Sequence, residues 1–353
     1  MRVAGFALIA LMLSCMNALS QQLSPGLAWQ QEGNWLVLSG TPRQGESSYR
    51  VSFSLSSMAE GIDQEWRLEE IDGSNVRRTE AIVPQNERTF WTWAIAGGAG
   101  LRLIPPTGMT KPPFEILEVR ANLPPPEPQQ KMQGSPQIPT RVLSTTINEL
   151  ATSVGFLFIG GKTADTEVCT AYLIDTDLVM TNEHCVAGLT SWNSLRFELG
   201  FFRSTSPILR TRLAKCELLD HDRDIAIARL AAAVSTAIAD ANDDSVKRVP
   251  KPLKLAPKFT EDPHPLMVIG HPGGGPQVSA FCSSNTDVSA SSLQFDFRHS
   301  CSTEPGSSGS PIIDSLTKEV VGLHRGAERK NLAIRAEFLV EAMEKVKQGK
   351  GAC

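Results

Sequence analysis

The stretch Glu304-Pro305-Gly306-Ser307-Ser308-Gly309-Ser310-Pro311 sets a serine among glycines directly before the apolar pair Ile312 and Ile313. Polar residues giving way to an apolar run read as a tight turn entering a buried strand, and such a turn exposes one hydroxyl on a rigid support. Gly306 can take backbone angles that turn its N–H and that of Ser308 into one pocket, as the oxyanion of an acyl transfer requires. Alone, the stretch fits a Gly/Ser surface loop equally well. A partner base decides between the two, because a serine is a weak nucleophile at neutral pH. It needs an imidazole to take its proton and a carboxylate to fix that imidazole's tautomer and stabilise its charge. The sequence offers both. His184 follows the apolar run 178–181 in Thr181-Asn182-Glu183-His184-Cys185, and Cys185 lies sixteen positions after Cys169, so a disulfide there would staple the histidine turn to the preceding strand. Asp224 heads the run Asp224-Ile225-Ala226-Ile227-Ala228-Arg229-Leu230, where a strand opening can hold a carboxylate at the edge of a buried cleft. Asp220 and Asp222 compete for that role but read as solvated loop charges.

The elements that must position these residues are mostly strands. Runs at 154–159, 171–174, 178–181, 195–199, 225–230, 266–269, 293–297 and 320–323 have strand length and composition. Only residues 336–346 show the apolar spacing of a helix. Many short strands and one terminal helix predict an all-β fold of two β-barrels; an α/β-hydrolase would need alternating helices that the sequence lacks. Upstream, residues 21–122 carry short alternating runs at 35–38, 49–55, 91–95 and 101–104, with turn signals at Asp72-Gly73 and Gly97-Gly98. A small β-sandwich accessory domain is expected there. Five of the six tryptophans fall in it, and a buried aromatic in a small sandwich explains them more simply than a ligand platform. Residues 123–141 hold Pro124-Pro125-Pro126, Pro128, Pro136 and Pro139 among polar residues, which makes them a semi-rigid linker. Residues 142–353 are the expected catalytic domain.

Residues 1–20 carry one Arg, an apolar run too short for a membrane span, and small residues at Ala18 and Ser20: a secretory signal peptide. Cys15 raises a lipid-anchored alternative. With 353 residues, 41% hydrophobic residues and a formal net charge of −4, the chain can build ordinary cores and shows no basic block for nucleic acid or an anionic membrane. Six cysteines remain after Cys15. Export and an even count favour disulfides, and no C-x-x-C spacing suggests zinc or another metal; no cofactor is expected.

Taken together, Cys169 to Cys185, the His184-Cys185 dipeptide, the Asp224-aliphatic-Ala run and Gly306-x-Ser308-Gly309-Ser310-Pro311 resemble the chymotrypsin-fold, trypsin-like serine proteases over residues 142–347. The resemblance implies His184 as general base and acid, Asp224 as its orienting carboxylate, Ser308 as nucleophile, and the N–H groups of Gly306 and Ser308 as the oxyanion hole. Ser307 and Ser310 read as turn formers, and His221, His264 and His299 as surface or loop histidines. Where pancreatic relatives carry an aspartate that pairs with a newly cut N-terminus, this chain has Ser307, so that activation is not expected. The glycine-serine loop and Gly270-His271-Pro272-Gly273-Gly274 instead resemble the bacterial glutamyl endopeptidase branch. That likeness implies an acidic P1 preference, with His324, Thr303 and Arg325 around the substrate carboxylate. Cys282 and Cys301 flank a hairpin leading into the nucleophile loop, which leaves Cys216 with Cys353 by elimination. The expected function is a secreted or periplasmic serine endopeptidase acting on protein or peptide substrates. The alternatives are a catalytically silent protease-like adhesin or binding protein, whose N-terminal domain would take an unknown ligand, and a periplasmic quality-control protease.

Overall fold

The structure is a computed structural model whose chain divides into two compact units between Pro124 and Pro125. It describes residues 27–32, 35–40, 48–55, 66–72, 75–82, 89–92, 95–96, 99–104 and 114–122 of the first unit. Of the second it describes 137–140, 143–159, 168–189, 192, 195–200, 209–234, 249–262, 264–284, 295–327 and 331–353. The signal segment, Cys15 and most of the proline-rich segment lie outside the described residues.

The first unit contains β1 (Leu27–Glu32), β2 (Trp35–Gly40), β3 (Ser48–Leu55), β4 (Trp66–Asp72), β5 (Asn75–Ile82), β6 (Thr89–Trp91), β7 (Ile95–Ala96), β8 (Gly100–Ile104) and β9 (Phe114–Asn122). They form two antiparallel sheets, one in the order β1-β2-β8-β4-β5 and one in which β3 pairs with β6, β7 and β9. Burial alternates along β8, the period of a strand with one face covered, and Trp66, Leu68, Leu101 and Leu103 are buried. The run 91–95, read above as one strand, is broken: β6 ends at Trp91 and β7 begins at Ile95.

The second unit opens with β10 (Gln137–Pro139), α1 (Thr145–Ala151), β11 (Val154–Ile159), β12 (Val168–Leu173), β13 (Leu178–Thr181), α2 (Glu183–Val186), β14 (Leu195–Leu199), β15 (Leu209–Asp220) and β16 (Ile225–Leu230). It continues with β17 (Pro265–Gly270), β18 (Val278–Ser283), β19 (Asp296–His299), β20 (Pro311–Asp314), β21 (Val320–Ala327), β22 (Asn331–Arg335) and α3 (Ala336–Lys347). The first six-stranded set closes as a barrel in the order β11-β12-β13-β16-β15-β14. The second forms a sheet in the order β10-β18-β17-β20-β21-β22-β19, and an antiparallel bridge between Ser284 and His299 joins its far edge back to β18. The all-β, two-barrel fold with a C-terminal helix is therefore the one expected from the sequence. Strands buried on both sides, such as β11 and β13, read as continuous apolar runs, and those are the strands the sequence placed correctly.

Three local expectations change. Gln137–Pro139 belongs to the second sheet rather than to a linker, pairing with β18 at an edge, where a proline costs no ladder hydrogen bond. The one-turn α2 and the seven-residue α1 are too short to leave a helical period in the sequence. The twelve-residue β15 escaped notice because its burial is irregular, and its pairing with β16 is broken by register shifts.

Between the barrels Val154, Tyr172, Met180, Ile227, Met267, Ile269, Ile313, Leu323 and Ile334 form one buried cluster that α3 joins through Leu339 and Ala342. The disulfides are Cys169–Cys185, Cys216–Cys353 and Cys282–Cys301, with Cα separations of 6.3, 6.2 and 4.7 Å. The second of these ties the chain end to β15, where Leu219 N–H also donates to the Ala352 carbonyl at 2.8 Å.

Candidate active site

His184 sits in the single turn of α2, immediately after β13, and Cys185 is held to Cys169 on the neighbouring β12. Asp224 closes the turn between β15 and β16 with φ of 59°, a left-handed conformation that aspartate tolerates better than most residues. That turn folds its carboxylate back onto the histidine. Asp224 Oδ1 accepts the His184 backbone N–H at 2.9 Å, and His184 Nδ1 lies 2.9 Å from Oδ2 and 3.0 Å from Oδ1. The Asn182 side-chain amide donates to the Asp224 carbonyl at 3.1 Å, which fixes the turn from below. The Asp224 side chain is 12% exposed and that of His184 47%, so the carboxylate is sheltered while the imidazole faces solvent. With Nδ1 committed to Asp224, the exchangeable ring nitrogen is Nε2.

Ser308 stands at the tight turn before β20, on the other barrel, and its loop is bound to the histidine side by Thr170 of β12. Thr170 N–H donates to the Ser308 carbonyl at 2.8 Å, and its hydroxyl donates to the Gly306 carbonyl at 3.0 Å. The same hydroxyl accepts the His271 N–H at 3.0 Å, while the Thr170 carbonyl accepts the Thr181 hydroxyl at 2.8 Å. Thr181 is the last residue of β13 and lies three positions before His184. The contact is close enough to demand glycine. A Cβ on Gly309, which has φ of +85°, would stand 2.0 Å from the Thr170 carbonyl oxygen and 2.4 Å from Thr181 Oγ1.

The loop's carbonyls are engaged behind it. Gly273 N–H donates to the Pro305 carbonyl at 2.6 Å, and Ser310 N–H donates to the Ser307 carbonyl at 3.0 Å. In a trans peptide the N–H points opposite to its C=O, so the N–H groups of Gly306 and Ser308 turn away from those anchors. Gly306 has φ of +92°, and a Cβ there would meet the His271 carbonyl at 2.7 Å. Ser307 is buried. Its N–H donates to the Glu304 carbonyl at 2.9 Å and its Oγ accepts the Glu304 N–H at 3.2 Å, so the loop is closed by its own residues.

The three residues read from the sequence as carboxylate binders separate. Thr303 is buried and donates its hydroxyl to Asn331 Oδ1 at 2.9 Å. Arg325 turns to Asp296 and Asp224 instead. His324 follows the nucleophile loop closely: its N–H donates to the Ser310 carbonyl and its carbonyl accepts the Gly309 N–H, both at 2.9 Å. The expectation of a surface or loop position for His299 is corrected: it ends β19, is 1% exposed, and its Nε2 lies 3.1 Å from His324 Nδ1. Burial, helped by the charge of His184, pushes His324 down to about 3, against a hydrogen bond toward the Leu332 carbonyl. Burial and the neighbouring His324 hold His299 well below the usual imidazole range. Both rings are therefore neutral near pH 7. His221 is exposed and pairs with Glu183 at 2.8 Å, Asp222 is exposed, and Asp220 is taken up by the Arg223 N–H at 3.1 Å. Sequence reasoning missed Thr170, Asn182, Asn331 and Asp296, whose partners at Ser308, Asp224, Thr303 and Arg325 lie far along the chain and are announced by no motif.

Residues 169–323 match the family model of the trypsin-like peptidase domain. The matched span holds His184, Asp224 and Ser308, and the second unit has an all-β, two-barrel fold of the chymotrypsin type. Among solved structures, the chain is similar to an inactive serine-to-alanine variant of Rv3671c from M. tuberculosis H37Rv. That match has 19% identity and a TM-score of 0.44, covering 63% of this chain and 100% of that one. It is also similar to the inactive form of the Rv3671c protease, with 22% identity and a TM-score of 0.43, covering 60% of this chain and 98% of that one. No curated protein matches the chain.

Proposed function

We propose that the second unit is a serine endopeptidase whose triad is Ser308, His184 and Asp224. His184 Nε2 takes the Ser308 hydroxyl proton as Oγ attacks the scissile carbonyl carbon, and the resulting oxyanion is met by the N–H groups of Gly306 and Ser308. Collapse breaks the C–N bond as His184 returns the proton to the leaving amine, giving an acyl-enzyme. Water, deprotonated by the same imidazole, then releases the carboxylic acid product and restores Ser308. Asp224 holds the ring through Nδ1 and stabilises its positive charge throughout.

The observation that carries this reading is the contact at Thr170, whose N–H fastens the Ser308 carbonyl to β12 while its own carbonyl accepts the hydroxyl of Thr181, three positions before His184. A surface loop would have no reason to be anchored there. Because Ser307 closes the loop with Glu304, its form does not depend on a new N-terminus. Of the three groups proposed for an acidic P1 side chain, Thr303 and Arg325 are engaged by Asn331 and by Asp296, which leaves His324 as the candidate. Three disulfides suit an oxidising compartment, in keeping with a secreted or periplasmic protease. Among the described residues no helix is long and apolar enough to cross a membrane.

The test is hydrolysis of peptide reporters by the wild type beside Ser308→Ala. Turnover should fall by about six orders of magnitude, since nucleophile and base act as a unit. Unchanged hydrolysis by Ser308→Ala would remove the proposal.

A further inference from the structure

We propose that Arg325 is a positioning residue for the catalytic histidine–aspartate pair rather than a substrate-binding cation; this rests on the triad reading above. The β21–β22 ladder shifts register between His324 and Gly326, whose partners Ala333 and Leu332 are adjacent. Such a bulge re-aims the side chain it carries. Here it sends Arg325 toward the first barrel. Arg325 Nε lies 3.7 Å from Asp224 Oδ2, and Nη1 lies 3.0 and 3.4 Å from the two carboxylate oxygens of Asp296. The guanidinium carbon stands 5.6 Å from the centre of the Phe295 ring, a further restraint on its plane.

The arrangement spans the cleft. Asp224 belongs to the first barrel, while Asp296 and Arg325 belong to the second, so one planar, permanently charged fork joins the two halves that carry the base and the nucleophile. Asp296 is 3% exposed, and a carboxylate that sheltered needs a fixed partner. Asp296 holds Arg325 and Arg325 reaches Asp224, with two consequences. The carboxylate facing His184 Nδ1 is kept in line. The positive charge behind it also tempers how strongly that carboxylate favours the imidazolium.

Several charged and titratable groups surround the pair. His324 approaches His184 from β21, Glu183 on α2 is engaged with His221, and Arg223 beside Asp224 is engaged with Asp220 and Glu341. Of the cations among these contacts, Arg325 is the one that touches the Asp224 carboxylate.

The experiment measures kcat, KM and the acid limb of kcat/KM for full-length wild type, Ser308→Ala, Arg325→Met, Arg325→Lys, Asp296→Asn and the double variant Arg325→Met/Asp296→Asn. Reporters carry Glu or Leu at P1. Arg325→Met should lower kcat roughly tenfold to a hundredfold with KM within about threefold, and move the acid limb up by about half a pH unit or more. Arg325→Lys should recover part of kcat. Asp296→Asn leaves Arg325 without its countercharge and should move the limb down. The double variant, which strands no buried charge, should shift upward by less, and it serves as the readout if Arg325→Met fails to fold. The ratio of Glu to Leu cleavage should not change. An unmoved acid limb in both Arg325→Met and the double variant, or a selective loss of Glu cleavage, overturns the assignment. If Ser308→Ala stays active, the triad itself fails; if it is inactive while the arginine variants match wild type, only the role of Arg325 fails.

Discussion

Replacing Gly309 by alanine adds one carbon at the point where the nucleophile loop rests on the histidine side of the cleft. That carbon would sit 2.0 Å from the Thr170 carbonyl oxygen and 2.4 Å from Thr181 Oγ1, with Gly309 at φ of +85°. An ordinary carbon–oxygen contact is above 3 Å, so the loop must lift from β12 by roughly 1 Å, and neither β12 nor its disulfide-held neighbour α2 can yield in its place. Left-handed backbone costs an alanine about 1–2 kcal/mol and overpacking about 1–3 more. Together they give about 3 kcal/mol, a fall in melting temperature of roughly 6–12 °C for a unit of this size. A 1 Å displacement of the reacting atom can cost on the order of a hundredfold in rate, so kcat/KM should drop by about that factor below the melting temperature. Gly349→Ala is the control. Its φ is 68° but a Cβ there meets nothing within 4 Å, so it carries the backbone cost without the displacement and should leave kcat/KM unchanged. The assay is peptide hydrolysis and thermal unfolding of both variants. If Gly309→Ala hydrolyses within threefold of wild type, the seat on Thr170 does not position Ser308, and the reasoning fails.

The buried pair His299 and His324 should make the protein sensitive to mild acid. Unfolded histidines take up protons below about 6.5 whereas His324 resists until about 3, so stability is whole above 6.5 and lost as pH falls, by about 1.4 kcal/mol per unit for each histidine. Urea unfolding at pH 7 and pH 5 should show a smaller difference for His299→Gln than for wild type, and equal differences would contradict the burial argument. A P1 scan with reporters ending in Glu, Ala or Leu should show the Glu preference of wild type abolished in His324→Ala while turnover after Leu persists. Equal cleavage by wild type after all three would remove the acidic specificity and leave the protease reading intact.

How far the sequence could carry this was set by where each residue's work is done. Ser308, His184 and Asp224 stand in motifs whose spacing reflects a turn, a disulfide and a strand opening, all local features, and the structure keeps each in such a place. The strands β11 and β13 were legible because burial on both faces makes them nearly continuous apolar runs, and β14 because Leu195, Phe197 and Leu199 alternate with Arg196 and Glu198. Arg325, read as a binder of the substrate carboxylate, and His299, read as a surface or loop residue, have contacts that the sequence does not announce. Nothing along the chain reveals a bulge that turns Arg325 to Asp224 or a neighbour 25 positions away that packs against His299. Thr170 was invisible because its N–H holds Ser308 itself, a main-chain donor without residue signature, and its hydroxyl meets Gly306 and His271 more than a hundred positions away. The edge strand at Gln137–Pro139 was hidden by its prolines, which mark a spacer and a sheet edge alike.

The most direct test of the account is to treat the full-length protein with a fluorophosphonate, digest it, and locate the adduct by mass. One adduct is expected, on the Ser308 hydroxyl, absent from Ser308→Ala and strongly slowed in His184→Ala. No adduct on the folded wild type, or an adduct on another serine, would contradict it.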